Sequence, residues 1–309
     1  MVGSAGAAPE QSLVVVQTDA AQHLVTLRWL LLSPSLLRPT PSAAAGSFVW
    51  SAGDAQRVTQ WLDSLQAQPE ALVQWMQART TKRLGHHAEH LLEFYLTHGP
   101  VHQLQAAHVQ LRSESGATLG EIDFLVTDDH GQRLHWELAV KFFLCMSTAS
   151  SVTPHDFLGP NNVETLAHKW NMVFAKQLAH TPPAPWNEHA WQALAFTRGW
   201  MFYRWGFTVP TCEALHADHC KGWWIAHADM QLLPAARYVH LPRLQWMAPI
   251  TSTAMMANGV QLLEREAMAQ HLAQYWAANP GRDDAQMIAQ LGDGDETTEA
   301  QRFFIHYSQ

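Results

Sequence analysis

The residues of this 309-residue chain whose types and spacing could do chemistry lie in two neighbouring segments, Gly120-Glu121-Ile122-Asp123-Phe124-Leu125-Val126 and His135-Trp136-Glu137-Leu138-Ala139-Val140-Lys141. Side chains of a strand alternate between its faces. Glu121 and Asp123 therefore share one face of the first segment. His135, Glu137, Ala139 and Lys141 share one face of the second, opposite Trp136, Leu138, Val140 and Phe142. On adjoining strands Asp123 and Glu137 converge, and they repel unless a cation or a proton lies between them. Hard carboxylate oxygens favour Mg²⁺ or Mn²⁺. A lysine nearby could orient or deprotonate water and offset phosphate charge, which is the chemistry of metal-assisted phosphodiester hydrolysis.

The elements that must position these residues follow from periodicity. Asp19 with Gln22 three residues on resembles a capping box, and Leu24, Leu27 and Leu31 repeat at helical spacing until Ser33-Pro34. After a loop over Pro39–Gly46, Val58, Trp61, Leu62 and Leu65 form a second helical stripe, and Pro69 opens a short helix through Trp75. A further helix, about Arg83–Thr97, places Leu84, Ala88, Leu91, Leu92 and Tyr95 on one face, with Glu89 at its margin. Short alternating runs then predict an antiparallel meander over 108–112, 119–127 and 133–143, broken at the polar turns 113–116 and 128–132. Asn161 and Glu164 predict the cap of a following helix with Val163, Ala167, Trp170, Phe174 and Leu178 inward, ended by Pro182, Pro183 and Pro185. Strands are expected at 192–197, 221–226 and 238–247, and a last helix near Gly259–Ala278.

In this order, a helix acid, Gly-Glu-Ile-Asp, a hairpin and Glu-Leu-Ala-Val-Lys, the chain resembles the core of the PD-(D/E)XK nuclease superfamily. More narrowly, Trp29–Leu37, Glu137-Leu-Ala-Val-Lys-Phe142, Leu158-Gly-Pro-Asn161, Gly222-Trp-Trp224 and Leu241-Pro-Arg-Leu-Gln-Trp-Met-Ala-Pro249 resemble an uncharacterised bacterial domain-of-unknown-function family, over most of the chain. The superfamily resemblance implies Asp123 and Glu137 as metal ligands, Lys141 as the catalytic lysine and Glu89 as the acid of the preceding helix. The chain departs from the pattern in one respect. Ala139 occupies the position expected for the lysine, and Lys141 lies two residues further on, its Cα roughly 13 Å from that of Glu137 where about 7 Å is usual. Lys169 or Lys176 on the following helix could substitute.

The expectation is an α/β fold: a restriction-endonuclease-like mixed sheet flanked by helices. A helical region over 1–82 packs on a core at 83–180, and 181–309 forms an α+β extension of the same domain. The expected function is Mg²⁺- or Mn²⁺-dependent hydrolysis of DNA or RNA, the alternative an inactive module of the same fold that binds nucleic acid or protein.

Other constellations compete less well. His86 and His90 lie four apart on a helix, but Glu89 is misplaced for H-E-x-x-H, which favours a solvated or supporting role. Cys212, His216, Asp218, His219 and Cys220 offer zinc ligands without knuckle spacing. Trp200, Tyr203, Trp205, Trp223 and Trp224, set among Arg198, Arg204 and Lys221, could stack bases, although core packing is favoured. Arg198 and Arg204 are the better candidates for phosphate contact. No phosphate-cradling glycine loop or G-x-S-x-G elbow with a plausible triad occurs, which argues against nucleotide-driven motors, Rossmann enzymes and α/β-hydrolases.

The net charge of −8 argues against indiscriminate nucleic-acid binding. However, residues 281–299 hold six of the acids against Arg282 alone, so a local basic groove is compatible with the remainder. Three cysteines suit a reducing compartment, no apolar run reaches membrane-spanning length, and Met1–Glu10 lacks a secretory pattern. Together these imply a cytoplasmic protein.

Overall fold

The computed structural model describes residues 20–38, 45–250, 261–280, 284–292 and 299–307. The expectations for Met1–Glu10, Asp19, most of the Pro39–Gly46 loop and Gly259–Val260 lie outside the described residues, while the helix expected near Gly259–Ala278 begins only at Arg265, after the extended residues Leu263–Glu264. So do most of the acids of 281–299. Among the described residues no helix is long and apolar enough to cross a membrane.

The N-terminal periodicity resolves into helices α1 (Ala20–Leu32), α2 (Ala52–Ala67), α3 (Glu70–Gln77) and α4 (Leu84–His98), with strand β1 (Ala45–Ser47) between the first two. Their inward stripes, Leu24, Leu27, Leu31, Val58, Leu62, Ala88, Leu91 and Leu92 among them, join one apolar cluster with Phe124, Val126 and Trp136 of the sheet. Each such side chain removed from water contributes roughly 1.5–3 kcal/mol.

The meander is β2 (His102–Arg112), β3 (Thr118–Asp128) and β4 (Arg133–Cys145), antiparallel throughout. The short β5 (Phe157–Leu158) pairs with the end of β4. Helix α5 (Leu166–Asn171) then leads to β6 (Gln192–Arg204), which returns parallel to β4. Beyond it lie β7 (Cys220–Ala226), β8 (Arg237–His240), β9 (Leu263–Glu264), helix α6 (Arg265–Ala278), β10 (Gln286–Leu291) and β11 (Glu299–His306). The mixed sheet runs β2-β3-β4-β6-β7-β11-β10-β8-β9, with β1 beside β6. Helix α4 covers the Trp136 face and the segment after α5 covers the other, where Val173 and Leu178 meet Ala139, Ala193 and Ala195.

Three expectations are corrected. The helix predicted from Asn161 begins at Leu166, because 159–164 closes on itself. Asn162 takes φ 58°, the Gly159 amide donates to Glu164 O at 2.7 Å, and Thr165 Oγ1 caps the helix through the His168 amide at 3.3 Å. Val163, expected inward, is 78% exposed. The strand expected over 238–247 stops at His240, where Pro242 removes a backbone donor. Strands β10 and β11 were not anticipated within and after the acid-rich segment.

Strands β4 and β6 keep one unbroken parallel register from Leu134↔Gln192 to Leu144↔Phe202. At Lys141↔Gly199 the backbones come so close that a Cβ on residue 199, at φ +155°, would overlap the Lys141 carbonyl oxygen. Gly199→Ala is therefore expected to cost about 2–3 kcal/mol, read as a fall in the urea midpoint at constant m-value.

Candidate functional site

Pairing of β3 with β4 runs from Thr127↔Arg133 to Phe124↔Trp136 and then gives way at the next position, where Asp123 faces Glu137. There carboxylates take over from carbonyls. The Leu138 amide donates to Asp123 Oδ2 at 2.8 Å, and the Asp123 amide lies 3.4 Å from Glu137 Oε1. Each acid is thus bound to the backbone of the opposite strand, which brings the two predicted carboxylates together.

Glu137 is 1% exposed. His135 Nε2, on the same face of β4, hydrogen-bonds Glu137 Oε1 at 2.7 Å, and Gln177 Nε2 donates to Oε2 at 3.0 Å. Gln177 reaches this position because α5 widens into a π turn over Met172–Lys176 before a closing 3-10 turn. Neither His135 nor Gln177 was identified as a supporting residue from the sequence. His135 had a signal, since it shares Glu137's face, whereas the π turn left no periodic trace that would reveal Gln177. Glu121, on the same side of β3, is drawn toward β2 by His108 Nδ1 at 3.3 Å and by Gln110. His108 adopts φ 52° there, a left-handed conformation that breaks the regular run of β2.

Burial, followed by the Glu137 charge, drives the Asp123 pKa well above the ordinary carboxylate value. Burial likewise pushes Glu137 up to about 8, opposed in part by its hydrogen bonds with Asp123. The half-buried Glu89 adds its charge at Asp123. His135 is held near 4 by burial and is neutral at physiological pH. The pair is starved of positive charge, the condition that a cation relieves.

Lys141 lies on the same face as Glu137, but the unbroken register keeps it four residues along an extended strand. Burial lowers its pKa, as does Lys169, while the charges of Glu164, Asp123 and Glu89 raise it. Among the described residues no hydrogen bond or ion pair holds its ammonium. It lines a cavity of 390 Å³ between the start of α4, β4, the 159–164 loop and Arg243.

Among the substitute lysines, Lys169 pairs with Glu164 at 2.7 Å at the same cavity, and Lys176 is exposed. Arg204 is exposed at the end of β6, near Phe207 and Trp224. Arg198 corrects the expectation of a phosphate contact: it is 2% exposed and donates to the carbonyls of Leu30, Leu31 and Thr197 at 2.8–3.0 Å. A guanidinium spent on tying α1 to β6 cannot reach a ligand.

The cysteine–histidine segment is also engaged elsewhere. His219 bonds Tyr203 Oη at 2.7 Å and the His216 carbonyl at 2.5 Å. Among the described residues no group of three or more His, Cys, Asp or Glu side chains forms a metal-holding cluster. A cation at Asp123 and Glu137 would therefore rely on two protein carboxylates and complete its shell with water or substrate, an arrangement that suits Mg²⁺. The donor set fits: each carboxylate has about four acceptor positions and only part of that capacity is used. The five aromatics are mainly structural, with Tyr203 and Trp224 in the core and the Trp200, Trp205 and Trp224 indoles bound to the carbonyls of Met247, Leu232 and Cys145.

The raised carboxyl pKa values have a sign that can be tested. A carboxyl that binds its proton more tightly when folded stabilises the protein fully below its unfolded pKa, and that stabilisation is lost as pH rises through the folded value. For Glu137 the window runs from about 4.5 to about 8. The histidines held near 4, His87, His102, His135 and His240, act oppositely and have finished titrating above about 6.5. Thermal stability in EDTA is thus expected to fall between pH 6.5 and 8, and Glu137→Gln should flatten that fall. In addition, Arg198→Ala should lower the melting temperature, whereas Arg204→Ala should stay within about 0.5 kcal/mol of wild type.

No curated protein and no solved structure matches the chain. A family model does match, over residues 26–305, which takes in every site residue described above. The chain belongs to the family described as Domain of unknown function (DUF1853).

Proposed function

We propose that this protein is a metal-dependent phosphodiester hydrolase, a nuclease built on the PD-(D/E)XK plan. The observation that carries the reading is the meeting of Asp123 and Glu137 where β3 and β4 part, a half-buried and a buried carboxylate that both have raised pKa values. The order α4-β2-β3-β4-α5-β6, with an antiparallel meander and a parallel return, supports it as the layout of a restriction-endonuclease-like core.

In this reading Asp123 and Glu137 hold Mg²⁺ or Mn²⁺. When bound, the ion would supply Lewis-acid stabilisation of the phosphoryl oxygens and a more acidic water. His135 and Gln177 fix the rotamer of Glu137, so its carboxylate needs no reorganisation. Glu89 adds negative charge at the rim, and Lys141 offsets phosphate charge from its side of the cavity.

A second reading, a catalytically silent module that binds nucleic acid or protein, is favoured by one observation. The unbroken β4–β6 register leaves Ala139 at the expected lysine position, packed against Val173 and Leu178.

Cleavage of single-stranded, double-stranded and branched DNA and RNA with Mg²⁺ or Mn²⁺ separates the two. The hydrolase predicts cutting that Asp123→Ala and Glu137→Ala both lose. It also predicts that Mn²⁺ at pH 8 raises the melting temperature of wild type and not of Asp123→Ala. Folded wild type that cuts none of the panel and gains no stability from Mn²⁺ overturns it in favour of the silent module.

A further inference from the structure

The 390 Å³ cavity at Lys141 is lined by Lys82, Arg83, Lys141, Lys169 and Arg243, with Glu164 the one acid among the described residues that line it. In a chain of net charge −8 this is a concentration of the opposite sign. Glu164 is neutralised by Lys169 at 2.7 Å. The other four cationic side chains have no hydrogen bond or ion pair among the described residues. Like charges gathered in one concavity repel, so the arrangement is stabilised by an anion that neutralises them together.

The walls come from separated parts of the chain: the start of α4, strand β4, the 159–164 loop and the 243–246 turn. The last of these is anchored from β11, where the buried Arg302 pairs with Glu299 and donates to Ala248 O at 2.6 Å. The volume lies near the lower end of the roughly 300–1,000 Å³ of small-ligand pockets, room for about one nucleotide unit and not for a duplex.

We propose that this cavity binds the terminal phosphate of a polynucleotide, so that the enzyme holds a phosphorylated strand end at Lys141, four residues along β4 from Glu137. The inference rests on the nuclease reading and adds to it which part of the substrate is recognised. A terminal monoester carries about −1.5 to −2 charge where an internal diester carries one negative charge, and it can enter a walled cavity with donors on several sides. Lys141, displaced two positions along β4 from the superfamily pattern, contributes to this pocket.

The test is fluorescence anisotropy of one short single-stranded oligodeoxynucleotide with a 5′-phosphate, a 3′-phosphate or hydroxyls at both ends, in EDTA so that nothing is cut. One phosphorylated form is expected to bind about ten-fold tighter than the hydroxyl form. The double variant Arg83→Glu/Arg243→Glu and the separate Lys82→Glu, all at exposed positions, should erase or reduce that ratio. Arg237→Glu, at an exposed position on β8 outside the cavity, should leave it intact. Inorganic phosphate should compete away the preference. Equal binding of all three forms, or a preference that survives the cavity variants, overturns the proposal. Displacement by inorganic phosphate without any preference between ends would overturn it in favour of a free-phosphate site. Because no metal is present, an end preference in a protein that never cleaves would leave this site standing while the nuclease reading falls, and cleavage without a preference would do the reverse.

Discussion

Setting a buried carboxylate, Glu137, against a half-buried one, Asp123, between adjoining strands is the constraint on which this architecture turns. At Asp123 and Glu137 the backbone ladder of β3 and β4 is replaced by amide-to-carboxylate bonds across the gap. The exchange preserves hydrogen bonding, but it leaves Glu137 out of water's reach and Asp123 only partly within it. Both pKa values rise as a result. The surrounding structure must then hold the acids at fixed positions while leaving the charge to be balanced by a proton or a cation.

The central pair β4 and β6 provides that rigidity. Both faces of β4 are covered, one by α4 with Trp136 against Phe48 and Phe196, the other by the turns after α5. Ala193 and Ala195 on β6 keep the second face shallow, so the segment carrying Gln177 can approach Glu137. Small residues here serve proximity, and Gly199 does the same where β6 passes the Lys141 carbonyl. The same regular pairing denies β4 a bulge that could shorten the distance from Glu137 to Lys141, and the lysine serves the basic cavity instead.

The two halves of the site are electrostatically complementary. Lys141 links them: it lines the cation-rich cavity with Lys169 and Glu164, and it also senses the charges of Asp123 and Glu89. In the proposed reading a phosphate group would occupy the cavity and a divalent ion would sit at the carboxylates. The distant ion pair Arg302–Glu299 belongs to the same construction, because it ties down the turn that brings Arg243 to the cavity.

The sequence alone determined the elements governed by local periodicity. Stripes every three to four residues marked α1 to α4, and alternation bounded by polar turns marked β2 to β4, because burial of one face imposes those periods on the chain. It also placed Asp123 and Glu137 on one surface, since register across a hairpin follows from its turn. Where long-range contacts decide, the sequence was silent. The parallel return of β6 onto β4, the strands β10 and β11, and the irregular helix after Thr165 depend on partners far along the chain. Arg198 reads as a surface cation until α1 supplies carbonyls that make its burial affordable, and Gln177 reads as an ordinary helical residue until a π turn sets it on Glu137. A side chain's role at these positions is set by what the fold brings to within 3 Å of it, and neither composition nor spacing encodes that distance.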